Sequence, residues 1–323
     1  MYLTEEASVG SSEDRLTGNS RLIIVAGKGG VGKTTVAAVL GLRAVGLGRR
    51  VLLVDVEGRH GLASTFGLSA LGHAVTELRP GLSARSIRPD QSLIEYLADH
   101  GLGRFSRRLA STGMIEAVAT ATPGIKELLI LGKAKQLALS GAYDLVIVDS
   151  PATGHAKSFL ESPKGLLEAV TSGPVRRQAE EVQSLLTDPQ LCRVVLVTLA
   201  EETPVNEAAE GARMVRDELG MALALAIVNQ IGPDPSVPAA NDLDTLIERA
   251  RPRWGEAEIL ALRSAAQFLT QRYDNQRAQL ARLAGLVPSP VIALPHLPST
   301  KIGPEDLATL VQRLDSELSR LRR

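Results

Sequence analysis

Cysteine is nearly missing from this chain of 323 residues, which has one, Cys192. Neither a disulfide framework nor a Cys-x-x-Cys metal clasp can form within the chain, and the usage suits a reducing cytoplasm. Aromatic residues are 3% of the total, too few for a surface that stacks the bases of single-stranded nucleic acid. Neither sign of charge is in excess, with 36 Lys and Arg against 36 Asp and Glu, so no global field draws the chain to nucleic acid or an acidic membrane. No apolar run approaches the roughly 18 residues of a membrane-spanning segment. The start, MYLTEEASVGSSEDRLTGNS, is polar and acidic. It has no signal-peptide apolar region, and residues 1–20 are expected to form a disordered tail. No internal repeat is present.

Apolar residues, at 44%, are ample for a core. Their most informative arrangement is a β-branched apolar run, Arg21 to Ala26, then Gly27-Lys28-Gly29-Gly30-Val31-Gly32-Lys33-Thr34-Thr35, then a helical pattern from Val36 to Val45. A strand, a glycine-rich loop and a helix in that order make a phosphate cradle. The glycines let backbone N–H groups turn inward, and the helix N-terminus adds partial positive charge. Lys33 is placed to reach the β- and γ-phosphates of a nucleoside triphosphate, and the Thr34 hydroxyl to ligate Mg²⁺. At ordinary glycine usage, this spacing arises by chance in such a chain on the order of once in a hundred. The run Tyr143 to Asp149, YDLVIVD, is an apolar strand ending in a carboxylate, the form of a Walker B element. Asp149 would hold the magnesium through its bound water.

Seven β-rich runs recur between helical patterns: Leu22–Ala26, Val51–Val56, Leu82–Ile87, Leu145–Asp149, Val194–Leu199, Leu223–Asn229 and Val291–Leu294. Several are near-continuously apolar, which suits a parallel sheet covered on both faces. The expected fold is α/β, a doubly wound, mostly parallel sheet of about seven strands flanked by helices. Residues 21–323 read as one P-loop domain, with a helical insertion at about 91–140. A second long helical pattern covers Asn241–Leu283, broken near Pro252. The last helix follows Pro304; its acidic residues Glu305, Asp306, Asp315 and Glu317 favour packing on the sheet over lying on a membrane.

Lys28, directly after the first loop glycine, is the signature of the deviant P-loop. In that respect the chain resembles the ParA, MinD, ArsA and nitrogenase iron-protein group of dimeric ATPases. Ser150-Pro151-Ala152-Thr153-Gly154-His155 then resembles the Asp-Thr-Ala-Pro-Thr-Gly-His segment of the ArsA-like family, with the Ala-Pro order swapped. That family includes arsenite-pump ATPases and ATPases that target tail-anchored membrane proteins. The resemblance implies that Lys28 reaches across a dimer to the partner's nucleotide and that Gly154, in switch II, senses the γ-phosphate. Val51 to Leu62 is similar to switch I. Aligned on His60 and Leu62, the family's catalytic aspartate falls on Glu57, one methylene longer, with Asp55 two residues earlier as a possible substitute. Leu199-Ala200-Glu201, with Glu207 beyond it, resembles the family's strand-to-helix step. Asn229-Gln230 resembles its adenine pocket, and the loop from Leu294 through Pro295 to Pro298 the proline-rich segment beside the base.

The departures matter equally. One cysteine cannot assemble the thiolates that bind arsenite, and the zinc-clasp motif of tail-anchored-protein targeting members is absent. Met114, Met214 and Met221 are the internal methionines, few for a methionine-rich client groove. The resemblance implies a cytoplasmic, Mg²⁺-dependent, dimeric ATPase, an ATP-driven switch acting on a partner, cargo or membrane protein, with no nucleic acid expected. Two alternatives stand beside it. The chain is a slow or inactive nucleotide-binding subunit of a heterodimer with a related ATPase, or it is a ParA- or MinD-like positioning ATPase. The sequence does not choose between homodimer and heterodimer, or name the cargo.

Overall fold

The computed structural model describes residues 16, 18–56, 61–99, 123–151, 153–234 and 254–321. The sheet has eight strands. Those read from sequence are β1 (Leu22–Gly27), β2 (Val51–Asp55), β4 (Leu82–Ser86), β5 (Leu145–Asp149), β6 (Cys192–Leu199), β7 (Leu223–Ile231) and β8 (Val291–Pro295). The addition is β3 (Thr76–Arg79). The order across the sheet is β3-β4-β2-β5-β1-β6-β7-β8, and only the β3–β4 pair is antiparallel. β3 escaped the sequence reading because TELR is a short edge strand, alternately exposed, with no apolar run to mark it.

The central strands β1, β2 and β5 are buried on both faces, and successive side chains feed two cores. Leu22, Ile24 and Ala26 of β1 join one core, and Ile23 and Val25 the other. The second core is closed by α1 (Lys33–Gly46) and the last helix, α9 (Pro304–Arg320), through Leu307, Leu310, Leu314 and Leu318. α9 therefore packs on the sheet as its apolar spacing demands, and its Asp315 also pairs with the buried Arg43 of α1 at 2.7 Å. Leu16 and Ser20, placed in the polar tail by sequence, are buried, Leu16 within this same core. The first core is closed by α4 (Ile125–Leu139), α5 (Thr153–Ala169), α6 (Pro174–Thr187) and α7 (Glu202–Arg213), the last running into a π-helical turn at Met214–Glu218.

Of the expected insertion, the described ends are helical: α3 (Pro89–Asp99) and α4. Glu95 of α3 ties them to the sheet, meeting Arg85 of β4 at 3.1 Å and Lys133 of α4 at 2.5 Å. Burial works against the charged Glu95 carboxylate, but the two cations outweigh it and hold its pKa below the ordinary value. Met114 lies outside the described residues, as does the expected break at Pro252. Beyond that point runs α8 (Glu256–Leu286), 31 residues long.

Candidate functional site

Four parallel strands end at the same level and carry the residues that the sequence singled out. β1 hands its chain to the glycine loop, and β2 and β5 end in Asp55 and Asp149, which are register partners. β7 carries Asn229, paired with Leu199 of β6. The carboxyl ends of the central strands of a doubly wound sheet, beside helix N-termini, are where such folds bind ligands. A cleft of about 280 Å³ opens there, lined by Gly29, Gly30, Gly32, Lys33, Thr34, Asp55 and Asp149, with Gly61, Leu62 and Ser150.

The loop is built to present amides. Gly30 and Gly32 have φ of +84° and +93°, a region open to glycine and costly for other residues. Gly32 sits at the start of α1, whose first turn carries no acidic side chain, so nothing opposes an anion at the helix N-terminus. The Lys33 ammonium, largely buried, folds back and donates to the Lys28 carbonyl at 3.1 Å. It thereby spans the loop it would share with phosphate. Thr34 Oγ1 donates to Asp149 Oδ2 at 2.6 Å. A hydroxyl and a carboxylate in contact beside an anion cradle fit Mg²⁺, which takes one or two protein oxygens and completes its octahedron with phosphate and water. Thr35 follows on α1.

Asn229, buried, donates from Nδ2 to the Val31 carbonyl at 3.0 Å. A Cβ on Gly32 would fall 2.2 Å from that nitrogen. The structure thus sets Asn229 against the loop backbone. Pro295 ends β8 opposite Ile231, and the next residue, His296, donates its N–H to the Ile231 carbonyl.

Lys28 points out of the cleft. Its ammonium meets Glu207 Oε1 of α7 at 2.6 Å, with the lysine side chain 45% exposed. The pair stands at the edge of a second cavity, about 700 Å³, lined among others by Leu160, Leu196, Met214 and Val215. Glu57 and His60 lie outside the described residues; their neighbours Asp55 and Gly61 line the cleft. Gly154 and His155 fall in the first turn of α5. Sequence reading did not single out Gly61 and Ser150 for the cleft, though each directly follows a motif residue, His60 or Asp149. Cys192 is buried at the far end of β6, where burial above all pushes its thiol up, away from thiolate chemistry. Among the described residues no helix is long and apolar enough to cross a membrane.

Known proteins are similar to this chain in sequence. The sequence pattern of the anion-transporting ATPase family matches residues 20–173, from the entry to β1 through the end of α5. ATPase GET3 of Chaetomium globosum is 34% identical over 152 residues, 46% of this chain and 45% of that one. A putative arsenical pump-driving ATPase of Halobacterium salinarum is 27% identical over 233 residues, 67% of this chain but 36% of its own. ATPase BagA of Mycobacterium tuberculosis is 34% identical over 262 residues, 77% of this chain and 74% of its own. At that identity, sustained along most of both chains, this protein belongs to the anion-transporting ATPase family.

Proposed function

We propose that this ATPase is Mg²⁺-dependent and works as a dimer, an ATP-driven conformational switch acting on a protein partner or cargo. The observation that carries the reading is the single cleft in which Lys33, the open amides of the glycine loop and the Thr34–Asp149 pair converge. Lys33 and the amides of Gly29 to Thr35 bind the phosphates. Thr34 and Asp149 hold the metal, Asp149 through water. The bound Mg²⁺ supplies charge neutralisation at the phosphate oxygens. Lys28 acts on the nucleotide of the partner subunit, as an arginine finger does, and Gly154 reports the γ-phosphate. Glu57 orients the attacking water, and the buried Asp55 lines the cleft. Pro295 flanks the base, and Asn229, its amide held on Val31, braces the phosphate loop.

For cargo, the relatives' names offer arsenicals and, through GET3, a different line. The lone buried Cys192 gives arsenite no thiolate set, so a protein cargo or partner is the better reading. The test is phosphate release by the purified chain with ATP, with and without Mg²⁺. Turnover should need the metal and fall to background in Lys28→Ala and in Lys33→Ala; turnover surviving both changes refutes this site. Tight ATP binding with no turnover until a related ATPase is added favours the heterodimer subunit, in which Glu57 in place of aspartate leaves hydrolysis slow.

A further inference from the structure

Helix α8 buries only two of its side chains, Gln276 and Leu283. An amide stands where the helix's contact with the sheet calls for a leucine, so its polar atoms need a reason to be there. Both are used. Gln276 Oε1 accepts from the Gly232 N–H at 2.8 Å, and its Nε2 donates to the Gln230 carbonyl at 3.3 Å. The two bonds bracket the irregular end of β7, where its pairing with β8 shifts register between Val228 and Ile231. Within it Gln230 has φ of +60°, the one non-glycine residue with positive φ among the described residues. Such a conformation is unfavourable for a residue with a side chain and persists where its surroundings hold it. Directly before Gln230 stands Asn229, whose amide holds the Val31 carbonyl and lies against Gly32.

We propose that Gln276 is a positioning residue for the phosphate loop. Its side-chain amide clamps the positive-φ bulge at Gln230, and the clamped bulge fixes Asn229 against Val31 and Gly32. Helix α8 is thereby coupled to the loop through four residues in contact. The clamp stands on the geometry alone; its effect on nucleotide affinity rests on the ATP reading above.

The test uses the full chain without nucleotide and reads amide hydrogen exchange across Gly27–Thr35. Gln276→Leu keeps the volume and removes both bonds. Gln276→Glu keeps an acceptor for the Gly232 N–H and removes the donor to Gln230. Gln230→Gly removes the strain that the clamp opposes. Exchange in the loop should quicken about tenfold in Gln276→Leu, less in Gln276→Glu, and return to within about twofold of wild type in Gln276→Leu/Gln230→Gly. Loop exchange unchanged in Gln276→Leu overturns the proposal. So does acceleration spread equally over β1 and β5 with no rescue by Gln230→Gly, since that is general loss of stability. ATP affinity is measured separately and should weaken about tenfold in Gln276→Leu, with the same rescue. A wild-type chain that binds no ATP defeats the nucleotide reading, while the exchange result still decides the clamp.

Discussion

Gly30 and Gly32 have similar backbones and different surroundings, which separates two reasons for a glycine. Both have φ near +90°, so alanine at either position meets the left-handed penalty of about 1–2 kcal/mol. Around Gly30 a Cβ would meet nothing within 4 Å, whereas at Gly32 it would lie 2.2 Å from Asn229 Nδ2. No real Cβ is held that close, so Asn229 must leave the Val31 carbonyl or the loop must open. Gly32→Ala is therefore expected to cost about 2–4 kcal/mol in stability and to weaken ATP binding at least about thirtyfold. Gly30→Ala should cost only the backbone term of about 1–2 kcal/mol. Thermal unfolding and calorimetric ATP titration of the two variants check this; equal losses in both would mean that Asn229 is not pressed on the loop.

Among elements, one carboxylate ties both described ends of the insertion to the sheet. Glu95 is approached by Arg85 from the sheet and Lys133 from α4, side chains only 10% and 14% exposed. Removing the carboxylate leaves two half-desolvated cations facing each other. Glu95→Gln should destabilise the chain by about 2 kcal/mol at neutral pH. The pKa of Glu95 is lowered by folding, so the stabilisation is complete above the unfolded value, 4.5. It is lost as pH falls through the lower folded value. Denaturant unfolding of wild type and variant should accordingly begin to converge as pH falls below 4.5; a gap constant with pH would show packing rather than charge. No pattern in the sequence joins Glu95 to Lys133 or Arg85, because helices are read from their own periodicity and ion pairs between elements have none. What was legible is what local chemistry fixes: seven strands, several of them near-continuously apolar, the glycine loop with its helix, and the carboxylate ending β5. The half-exposed β3 was illegible for want of an apolar run, and the Gln276 contact for the same reason as Glu95, since it joins α8 to a strand bulge 46 residues earlier.

At the scale of the whole molecule, the cleft gathers Lys33, Thr34, Asp55 and Asp149, while the ammonium of Lys28 stands outside it. Lys33 folds over its own loop, while Lys28 faces outward to Glu207. An exposed pair of this kind contributes about 1 kcal/mol or less, so little energy keeps Lys28 from a nucleotide held by another chain. In a two-fold dimer each site would draw Lys33 from one subunit and Lys28 from the other. Lys28→Ala should then bind ATP within a few-fold of wild type yet release phosphate about 10²–10³ times more slowly, whereas Lys33→Ala should fail to bind. Light scattering should show the 34.3 kDa chain near twice that mass with ATP and Mg²⁺. Mixing the two dead variants is decisive, because a mixed dimer joins ATP on the Lys28→Ala subunit to an intact Lys28 from the Lys33→Ala subunit. Half of randomly paired dimers are mixed and each has one complete site, so turnover should recover to at most about one quarter of wild type. Recovery can come only from a lysine acting between chains. A mixture as silent as its components, beside a wild-type chain that turns over freely, would place the action of Lys28 within its own subunit.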